Sequence, residues 1–275
     1  MSNEHVFDKY LRQDKLPHMW CPGCGNGIVI NAMIRAIEKT GINQDDVVVV
    51  SGIGCSSRAN GYVDFCGLHT NHGRALPYAT GVKMQNPNLK VIVVTGDGDC
   101  TSIGGNHFIH ACRRNIDITT IVFNNNNYGM TGGQFSPTTP TNSKTKTTVY
   151  GNIDTPFDIC NLAQTAGASY VARSTVYHAT MLVNQIAEAI NHKGFSVVEA
   201  VCDCPTLFGR LNKIGAAPEM LLNFKDRAVT VAQSKKMTQE ELQGKIVIGK
   251  FLEDAERPEY SDRYQDVINI AKGGK

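Results

Sequence analysis

The stretch VIVVTGDG, residues 91–98, decides the fold class. Its run of β-branched residues predicts a buried strand at 91–95, and the glycines that follow predict a tight loop. Apolar residues at helical spacing then predict a helix over about 101–113, and a second apolar run predicts a strand at 118–123. Strand, helix and strand of these lengths form a right-handed crossover unit with two parallel strands.

The same alternation continues on both sides of this unit. Upstream, we predict a helix over 28–38 and a strand over 47–50; downstream, we predict helices over 157–166 and 179–190 and strands over 169–172 and 195–201. Strands that read as continuous apolar runs are buried on both faces. The sequence therefore predicts an α/β fold with a doubly wound, mostly parallel sheet.

The last part of the chain has a different character. After Pro205 the apolar periodicity weakens and charge rises, as in KDRAVTVAQSKKMTQEEL at 225–242. We therefore predict a main domain at 1–215 and a C-terminal appendage at 216–275 that packs on a partner subunit. The alternative is a tail that is flexible or merely packed on the main domain.

Composition excludes several classes of protein. A chain of 275 residues with 41% hydrophobic residues can bury a core, and a net charge of +2 without a basic block gives no reason to expect nucleic acid as a partner. No apolar run is long enough for a membrane span, and residues 1–15 do not resemble a secretory signal, so we expect a cytoplasmic protein. Nine cysteines in a reducing compartment indicate metal or redox chemistry rather than disulfides.

Polar residues follow two neighbouring strands at the carboxyl edge of the predicted sheet. Gly-Asp-Gly-Asp at 96–99 suits a diphosphate, but the Asp97 carboxylate would repel that group unless a cation lay between them. Mg²⁺ prefers oxygen ligands, which Asp97, the Asn125 side chain and the Asn127 backbone carbonyl can supply. The pair Gly-Asp-Gly and Asn-Asn resembles the thiamine-diphosphate motif of transketolases, decarboxylases and oxoacid oxidoreductases.

Two other interpretations of these loops are a dinucleotide site and a simple turn. A Rossmann dinucleotide site needs Gly-x-Gly-x-x-Gly and an acidic residue after the next strand, and here the glycine after Gly98 is Gly104 while the next strand ends in asparagines. Alternatively, Asn and Gly are ordinary turn formers. A mere turn, however, does not require both signals to fall on adjacent strand ends.

The cysteines suggest a second centre at the same edge. Cys21 and Cys24 form a knuckle that can hold one metal, and Cys55 directly follows the strand at 47–50. Chemistry alone leaves the fourth ligand open among Cys66, Cys202 and Cys204; we choose Cys204 because it lies just past the last strand. Cys100, Cys112 and Cys160 fall on predicted helices and are expected to be small buried hydrophobes.

Spacing alone does not distinguish zinc from iron at four cysteines. A structural zinc site has no reason to lie beside a thiamine cofactor, whereas a one-electron acceptor does. The two sites together favour a single 4Fe-4S cluster held by Cys21, Cys24, Cys55 and Cys204.

An ordered set of motifs carries a specific resemblance. It comprises WCPGCG (20–25), GIGCSSR (52–58), HTNHGRALPYATG (69–81), GDGD (96–99) with IGGNH (103–107), NNNNYGMTGGQFSPTTP (124–140) and CPT (204–206). The set resembles the beta subunit of 2-oxoacid:ferredoxin oxidoreductases over roughly residues 10–215. The stretches 128–140 and 208–210 resemble the type that acts on 2-oxoglutarate more than the type that acts on pyruvate.

The resemblance implies an activity, partners and residue roles. The activity is CoA-dependent oxidative decarboxylation of 2-oxoglutarate to succinyl-CoA and CO₂, with one-electron transfer through the cluster to ferredoxin. A larger alpha subunit should supply the pyrimidine-binding half that this chain lacks. Substrate carboxylates are assigned to Arg58, His72 and Arg74. The cofactor is assigned to Gly54, Cys55, Ser56, Gly96, Gly98, Asp99, Gly129, Met130 and Thr131.

Several alternatives remain at this point. The same chemistry on pyruvate, branched-chain or aromatic 2-oxoacids would use the same motifs. A thiamine-dependent decarboxylase would have no cluster, and a zinc-stabilised binding module would be colourless and independent of thiamine.

Overall fold

A computed structural model describes residues 5–273. Residues 1–4 of the predicted main domain and residues 274–275 of the predicted appendage therefore lie outside the described part. The strands are β1 (Val47–Ser51), β2 (Cys66–His69), β3 (Lys90–Gly96), β4 (Thr119–Asn124), β5 (Tyr170–Thr175), β6 (Ser196–Val201), β7 (Ala228–Thr230) and β8 (Ile246–Glu253). They form one eight-stranded sheet in the order β2-β1-β3-β4-β6-β5-β8-β7. Every pairing in the sheet is parallel except that of β5 with β8.

Helices cover both faces of this sheet. They are α1 (Val6–Tyr10), α2 (Asn26–Thr40), α3 (Ala75–Gln85), α4 (Gly105–Arg114), α5 (Ile159–Ala166), α6 (Ala179–Asn191), α7 (Ala217–Arg227), α8 (Val231–Ser234), α9 (Gln239–Leu242) and α10 (Tyr260–Ala271). Short 3₁₀ turns occur at Gln13–Lys15, Gln44–Asp46, Ser56–Gly61 and Val176–His178, and wide π-type turns at Asp99–Ile103 and Pro205–Gly209. The predicted α/β fold with a mostly parallel sheet is confirmed.

The central strands are apolar throughout because both faces are covered. In β1, Val47 and Val49 pack into the layer formed with α2 and α6, whereas Val48 and Val50 pack on the opposite side with α3, α4 and α5. Successive side chains of a strand point to opposite faces, so a strand between two helical layers needs apolar residues at every position.

Parallel pairing brings four loops to one edge of the sheet. Strands β1, β3, β4 and β6 are consecutive neighbours that run in the same direction. The loops that leave β1 (52–55), β3 (97–99), β4 (125–129) and β6 (202–204) therefore emerge side by side at the carboxyl edge, where open α/β sheets bind ligands.

One predicted helix boundary differs from the structure. The helix expected from about residue 101 is a wide turn over Asp99–Ile103 followed by α4 from Gly105. The segment 216–275 contributes β7 and β8 to the main sheet, and β8 pairs antiparallel with β5. Its packing on a partner subunit stays a prediction. Among residues 5–273, no helix combines the length and the apolar character that crossing a bilayer requires.

Candidate active site

Asp97 lies at the centre of the carboxyl edge, in the loop after β3. Its side chain is 2% exposed, and Oδ2 accepts hydrogen bonds from Ser136 Oγ at 2.5 Å and Thr138 Oγ1 at 2.6 Å. Burial raises the pKa of the Asp97 carboxyl to about 6. A buried carboxylate is costly unless it is paired, so this position favours a cation.

The loop after β4 presents neutral oxygens beside Asp97. The Asn125 side-chain oxygen accepts from the backbone N of Asn127 at 3.4 Å, and the side-chain Nδ2 of Asn127 donates to the backbone carbonyl of Asn125 at 2.8 Å. Both side chains are buried. One carboxylate and neutral amide oxygens suit Mg²⁺ as a partly hydrated ion that also binds phosphate, so these residues fit the predicted metal.

A cavity of about 80 Å³ lies between the loops that follow β1, β3 and β4. We call it the cofactor cavity, after the predicted cofactor residues that line it. It brings together the predicted metal ligands, His72 and the predicted cofactor residues. Its lining is Ile53, Gly54, Cys55, Ser56, His72, Gly96, Asp97, Gly98, Asp99, Phe123, Asn125, Asn127, Tyr128, Gly129, Met130 and Thr131. Residues assigned to one site from scattered motifs thus line one cavity.

Asp99 lines the cavity, but its carboxylate serves the surrounding loops. It accepts from Gly73 N and from Thr95 Oγ1, both at 2.7 Å, from Ile53 N at 3.3 Å, and it contacts His72 Nδ1. These bonds tie the loop after β1 to the loop after β2. The Asp99 carboxylate therefore links these loops through hydrogen bonds from their donors.

Gly98 has a steric constraint in addition to the one that the sequence suggests. A Cβ at this position would lie 2.4 Å from an atom of the Tyr128 ring, and Tyr128 Oη donates to the Gly98 carbonyl at 3.2 Å. The space next to Gly98 is therefore filled by an aromatic ring from the next loop. Closeness to a phosphate is not the only constraint on this glycine.

The three candidates for substrate binding occupy different places. His72 lines the cofactor cavity, where its ring packs edge-on against Tyr128 with centroids 6.0 Å apart. Arg74 donates to the backbone carbonyls of Gly73 and Ile103. Arg58 is exposed and lines a separate cavity of about 230 Å³ together with Arg12 and His69.

A third cavity, of about 280 Å³, adjoins the cofactor cavity and is called the four-cysteine cavity below. Cys21, Cys24, Cys55 and Cys204 all line it, together with Met19, Trp20, Asn125, Gly129, Met130, Gly132, Pro205, Thr206 and Leu207. Cys55, Asn125, Gly129 and Met130 line both cavities. The predicted cluster site and the predicted cofactor site are therefore separated by a single layer of residues.

The electrostatics of these thiols suit a cationic centre. Burial, together with neighbouring thiols, raises the pKa of Cys24 to about 12 and that of Cys55 to about 11. Thiolates gathered in such a cavity are unfavourable without positive charge among them, and metal binding supplies that charge. The donor set of four cysteines fits an iron-sulfur cluster or zinc.

The other cysteines lie elsewhere. Cys66 is exposed on the edge strand β2, and Cys202 is buried with its thiol 3.7 Å from the Asn26 side-chain oxygen. Cys100, Cys112 and Cys160 are buried in the core. Of the three candidates for the fourth ligand, Cys204 is the one that lines the cavity with Cys21.

Sequence reasoning missed the partners of Asp97. Ser136 and Thr138 lie in the stretch SPTTP, residues 136–140, at the end of the motif that begins at Asn124. Thr139 fixes this loop by donating to the Asn126 carbonyl at 2.7 Å, and Asn152 donates to the Thr139 carbonyl at 2.8 Å. The signal was present in the SPTTP sequence, but which hydroxyl reaches which carboxylate depends on the folded loop.

Comparison with known proteins agrees with this geometry. The sequence profile described as "Thiamine pyrophosphate enzyme, C-terminal TPP binding domain" matches residues 52–200. The "2-oxoglutarate synthase subunit KorB" of Methanocaldococcus jannaschii is 51% identical over 98% of this chain and 99% of its own length. The "2-oxoglutarate oxidoreductase subunit KorB" of Mycobacterium tuberculosis is 43% identical over 74% of this chain and 55% of its own length.

A solved structure extends the likeness to three dimensions. It is described as "2-oxoglutarate:ferredoxin oxidoreductase from Magnetococcus marinus with 2-oxoglutarate, coenzyme A and succinyl-CoA bound". The likeness covers 100% of this chain and 93% of that chain, with a TM-score of 0.87 and 32% sequence identity. The similarity therefore includes the segment after residue 215 as well as the loops of the site.

Proposed function

Since this chain belongs to the beta subunits of the 2-oxoacid:ferredoxin oxidoreductases, we propose that it is the thiamine-diphosphate and iron-sulfur subunit of a 2-oxoglutarate oxidoreductase. The reaction is the CoA-dependent conversion of 2-oxoglutarate to succinyl-CoA and CO₂, with electrons passed singly to ferredoxin or a similar acceptor. We place the protein in the cytoplasm, because that reducing compartment keeps the four cysteines of the cavity free to bind a metal centre.

One observation carries the proposal: the cofactor cavity and the four-cysteine cavity share the wall formed by Cys55, Asn125, Gly129 and Met130. Thiamine diphosphate supplies a carbon nucleophile for a 2-oxo carbonyl and an electron sink, and a 4Fe-4S cluster supplies a one-electron acceptor. A decarboxylase has no use for a redox centre one residue layer from its cofactor.

The chain's own residues hold and orient these groups. Asp97 and Asn125 would bind Mg²⁺ with the Asn127 carbonyl, Gly98 and the 129–131 segment would line the diphosphate, and Gly54 with Ser56 would approach the ring. Cys21, Cys24, Cys55 and Cys204 would hold one cluster. His72, Arg58 and Arg74 are candidates for binding the substrate carboxylates, and of these three His72 lines the cavity.

A partner subunit completes the site. The names of the relatives are subunit names, and we propose that an alpha subunit supplies the pyrimidine-binding half. The segment 216–275 would pack on that partner. Leu222 on α7 and Val267 on α10, which are 52% and 59% exposed, are candidates for this contact, because exposed apolar side chains are common where subunits meet.

We expect the chain alone, reconstituted with iron, sulfide, Mg²⁺ and thiamine diphosphate, to show less than about 1% of the activity of the complex, because a missing catalytic group costs orders of magnitude in rate. The measurement is reduction of a viologen dye by 2-oxoglutarate and CoA. Full activity of the isolated chain would show that no second subunit is needed.

The intact complex tests the substrate. Its visible iron-sulfur absorption should bleach when 2-oxoglutarate and CoA are added together, with kcat/KM at least about tenfold above that for pyruvate, because a second carboxylate adds charge-assisted hydrogen bonds. Branched-chain and aromatic 2-oxoacids complete the panel. A higher kcat/KM for another 2-oxoacid would change the proposed substrate but not the proposed reaction type. A colourless protein that contains zinc would overturn both the substrate and the reaction type.

A further inference from the structure

Asp158, Cys160 and Glu199 lie outside both cavities and close enough together to suggest a metal site; Cys160 and Glu199 are buried, whereas Asp158 is exposed. The Arg173 guanidinium already fills the space between the two carboxylates. Its Nε donates to Glu199 Oε2 at 2.7 Å, and its Nη2 donates to Asp158 Oδ1 at 2.6 Å. Arg173 is therefore ion-paired with both carboxylates, and its pair with Glu199 is buried. This leaves Oε1 of Glu199 free for another partner.

Glu199 Oε1 points toward the active site and accepts from Asn124 Nδ2 at 2.8 Å. Glu199 is 3% exposed and lies on β6, opposite Arg173 on β5. A carboxylate can only accept hydrogen bonds, so it selects the nitrogen of the amide that faces it. Glu199 therefore determines which way the Asn124 side chain is turned.

The other end of the Asn124 amide holds the loop of the proposed metal ligands. Asn124 Oδ1 accepts from Asn126 N at 3.1 Å, and Asn126 has a φ of 61° in the left-handed region. The proposed ligands Asn125 and Asn127 are the chain neighbours of Asn126, so the backbone conformation of Asn126 affects the position of both. If the amide flipped, its NH₂ group would face the Asn126 N–H, and two donors would oppose each other.

The same oxygen also reaches toward Asp97. The Thr138 hydroxyl lies 2.6 Å from Asp97 Oδ2 and 3.0 Å from Asn124 Oδ1, so its single proton is shared between these two acceptors. Asn124 thus contacts the loop of Asn125 and Asn127 directly and is linked to Asp97 through Thr138, in the orientation that Glu199 selects.

We infer that Glu199, held by Arg173, is a positioning residue for the magnesium and thiamine diphosphate site, acting through the orientation of the Asn124 amide. The inference rests on the proposed function. In the Glu199→Gln variant, Arg173 retains the amide oxygen because a cation is the stronger donor. The NH₂ group of the introduced glutamine then faces Asn124, which must flip and release Asn126.

Glu199→Gln should weaken Mg²⁺-dependent binding of thiamine diphosphate by about 10- to 100-fold, the range for partners of metal ligands. Asn124→Asp alone should also weaken it, since two carboxylates then meet in a buried place. The double variant Glu199→Gln/Asn124→Asp should recover affinity to within about threefold of wild type, because the introduced aspartate accepts from both the introduced glutamine and the Asn126 N–H.

The measurement is isothermal titration of cofactor-depleted complex with thiamine diphosphate at fixed Mg²⁺, with unfolding temperatures recorded in parallel. Asp117→Asn is the matched control, because it breaks the buried pair with Lys83 at the opposite end of β4 and should lower stability without changing cofactor affinity. Unchanged affinity in Glu199→Gln, or additive losses in the double variant, would overturn the positioning role. Lack of Mg²⁺-dependent binding by wild type would instead overturn the proposed function.

Discussion

Replacing Asp97 with asparagine should lower the affinity of the complex for thiamine diphosphate in the presence of Mg²⁺ by at least about 100-fold, since losing one member of a buried charge pair costs roughly 3–5 kcal/mol. Activity with 2-oxoglutarate and CoA should fall at least as far. The loss arises because the amide keeps an oxygen for the metal but no longer carries the charge that balances it.

The cofactor-free fold should survive this change. Asparagine retains an oxygen that can accept from Ser136 and Thr138, and the substitution removes a buried carboxyl whose pKa burial has raised to about 6. Burying a neutral amide is less costly than burying a charge. The unfolding temperature of the cofactor-depleted variant should therefore equal or exceed that of wild type.

Asp203→Asn is a matched control for this experiment. Asp203 is 1% exposed, and burial raises the pKa of its carboxyl to about 6, as for Asp97, but it does not line the cofactor cavity. Titration calorimetry should show unchanged affinity for thiamine diphosphate in Asp203→Asn. Tight, Mg²⁺-dependent binding by Asp97→Asn would remove Asp97 from the metal site.

Changing Cys204 to serine should remove the redox centre while leaving the thiamine site in place. We expect iron to fall well below the roughly four ions per chain of a cubane, together with loss of the visible absorption band and of the electron paramagnetic resonance signal of the reduced cluster. Reduction of the one-electron acceptor should fall at least about 100-fold, because electrons then have no acceptor beside the cofactor. Affinity for thiamine diphosphate should stay within about threefold of wild type, since Cys204 does not line the cofactor cavity.

Cys202→Ser separates this effect from damage to the loop. Cys202 lies two positions earlier and is buried near Asn26, outside the four-cysteine cavity. It should keep the full iron content and spectrum, with at most a modest loss of stability from a buried polar group. A normal cluster in Cys204→Ser, or a lost one in Cys202→Ser, would contradict the ligand assignment, and an iron content of about eight per chain would contradict a single cluster.

Much of the architecture could be predicted from local pattern. The apolar runs that became β1, β3, β4 and β6 are long enough to be buried on both faces, and strands joined by helices must be parallel. Parallel neighbours place their following loops at one edge whatever the details of packing. That is why the sequence alone places Asp97 near Asn125.

Element boundaries near the site were harder to predict. The wide turn at Asp99–Ile103 replaces the first turn of the expected helix, because the Asp99 carboxylate binds the loops after β1 and β2. Likewise, β8 joins β5 although its sequence shows weak periodicity. A strand that pairs with an existing strand takes part of its stability from that neighbour, which a local pattern does not record.

The sequence by itself determined the fold class and indicated which residues to propose as oxygen and sulfur donors, because periodicity and loop position depend on neighbours along the chain. Only the tertiary structure decided which hydroxyls hold Asp97, that Tyr128 occupies the space beside Gly98, and that Glu199 turns Asn124. Ser136 and Asp97 are 39 positions apart, and Glu199 and Asn124 are 75 apart. Hydrogen bonds of this kind require donor and acceptor to be placed within a few tenths of an ångström, and only the packed chain sets such distances.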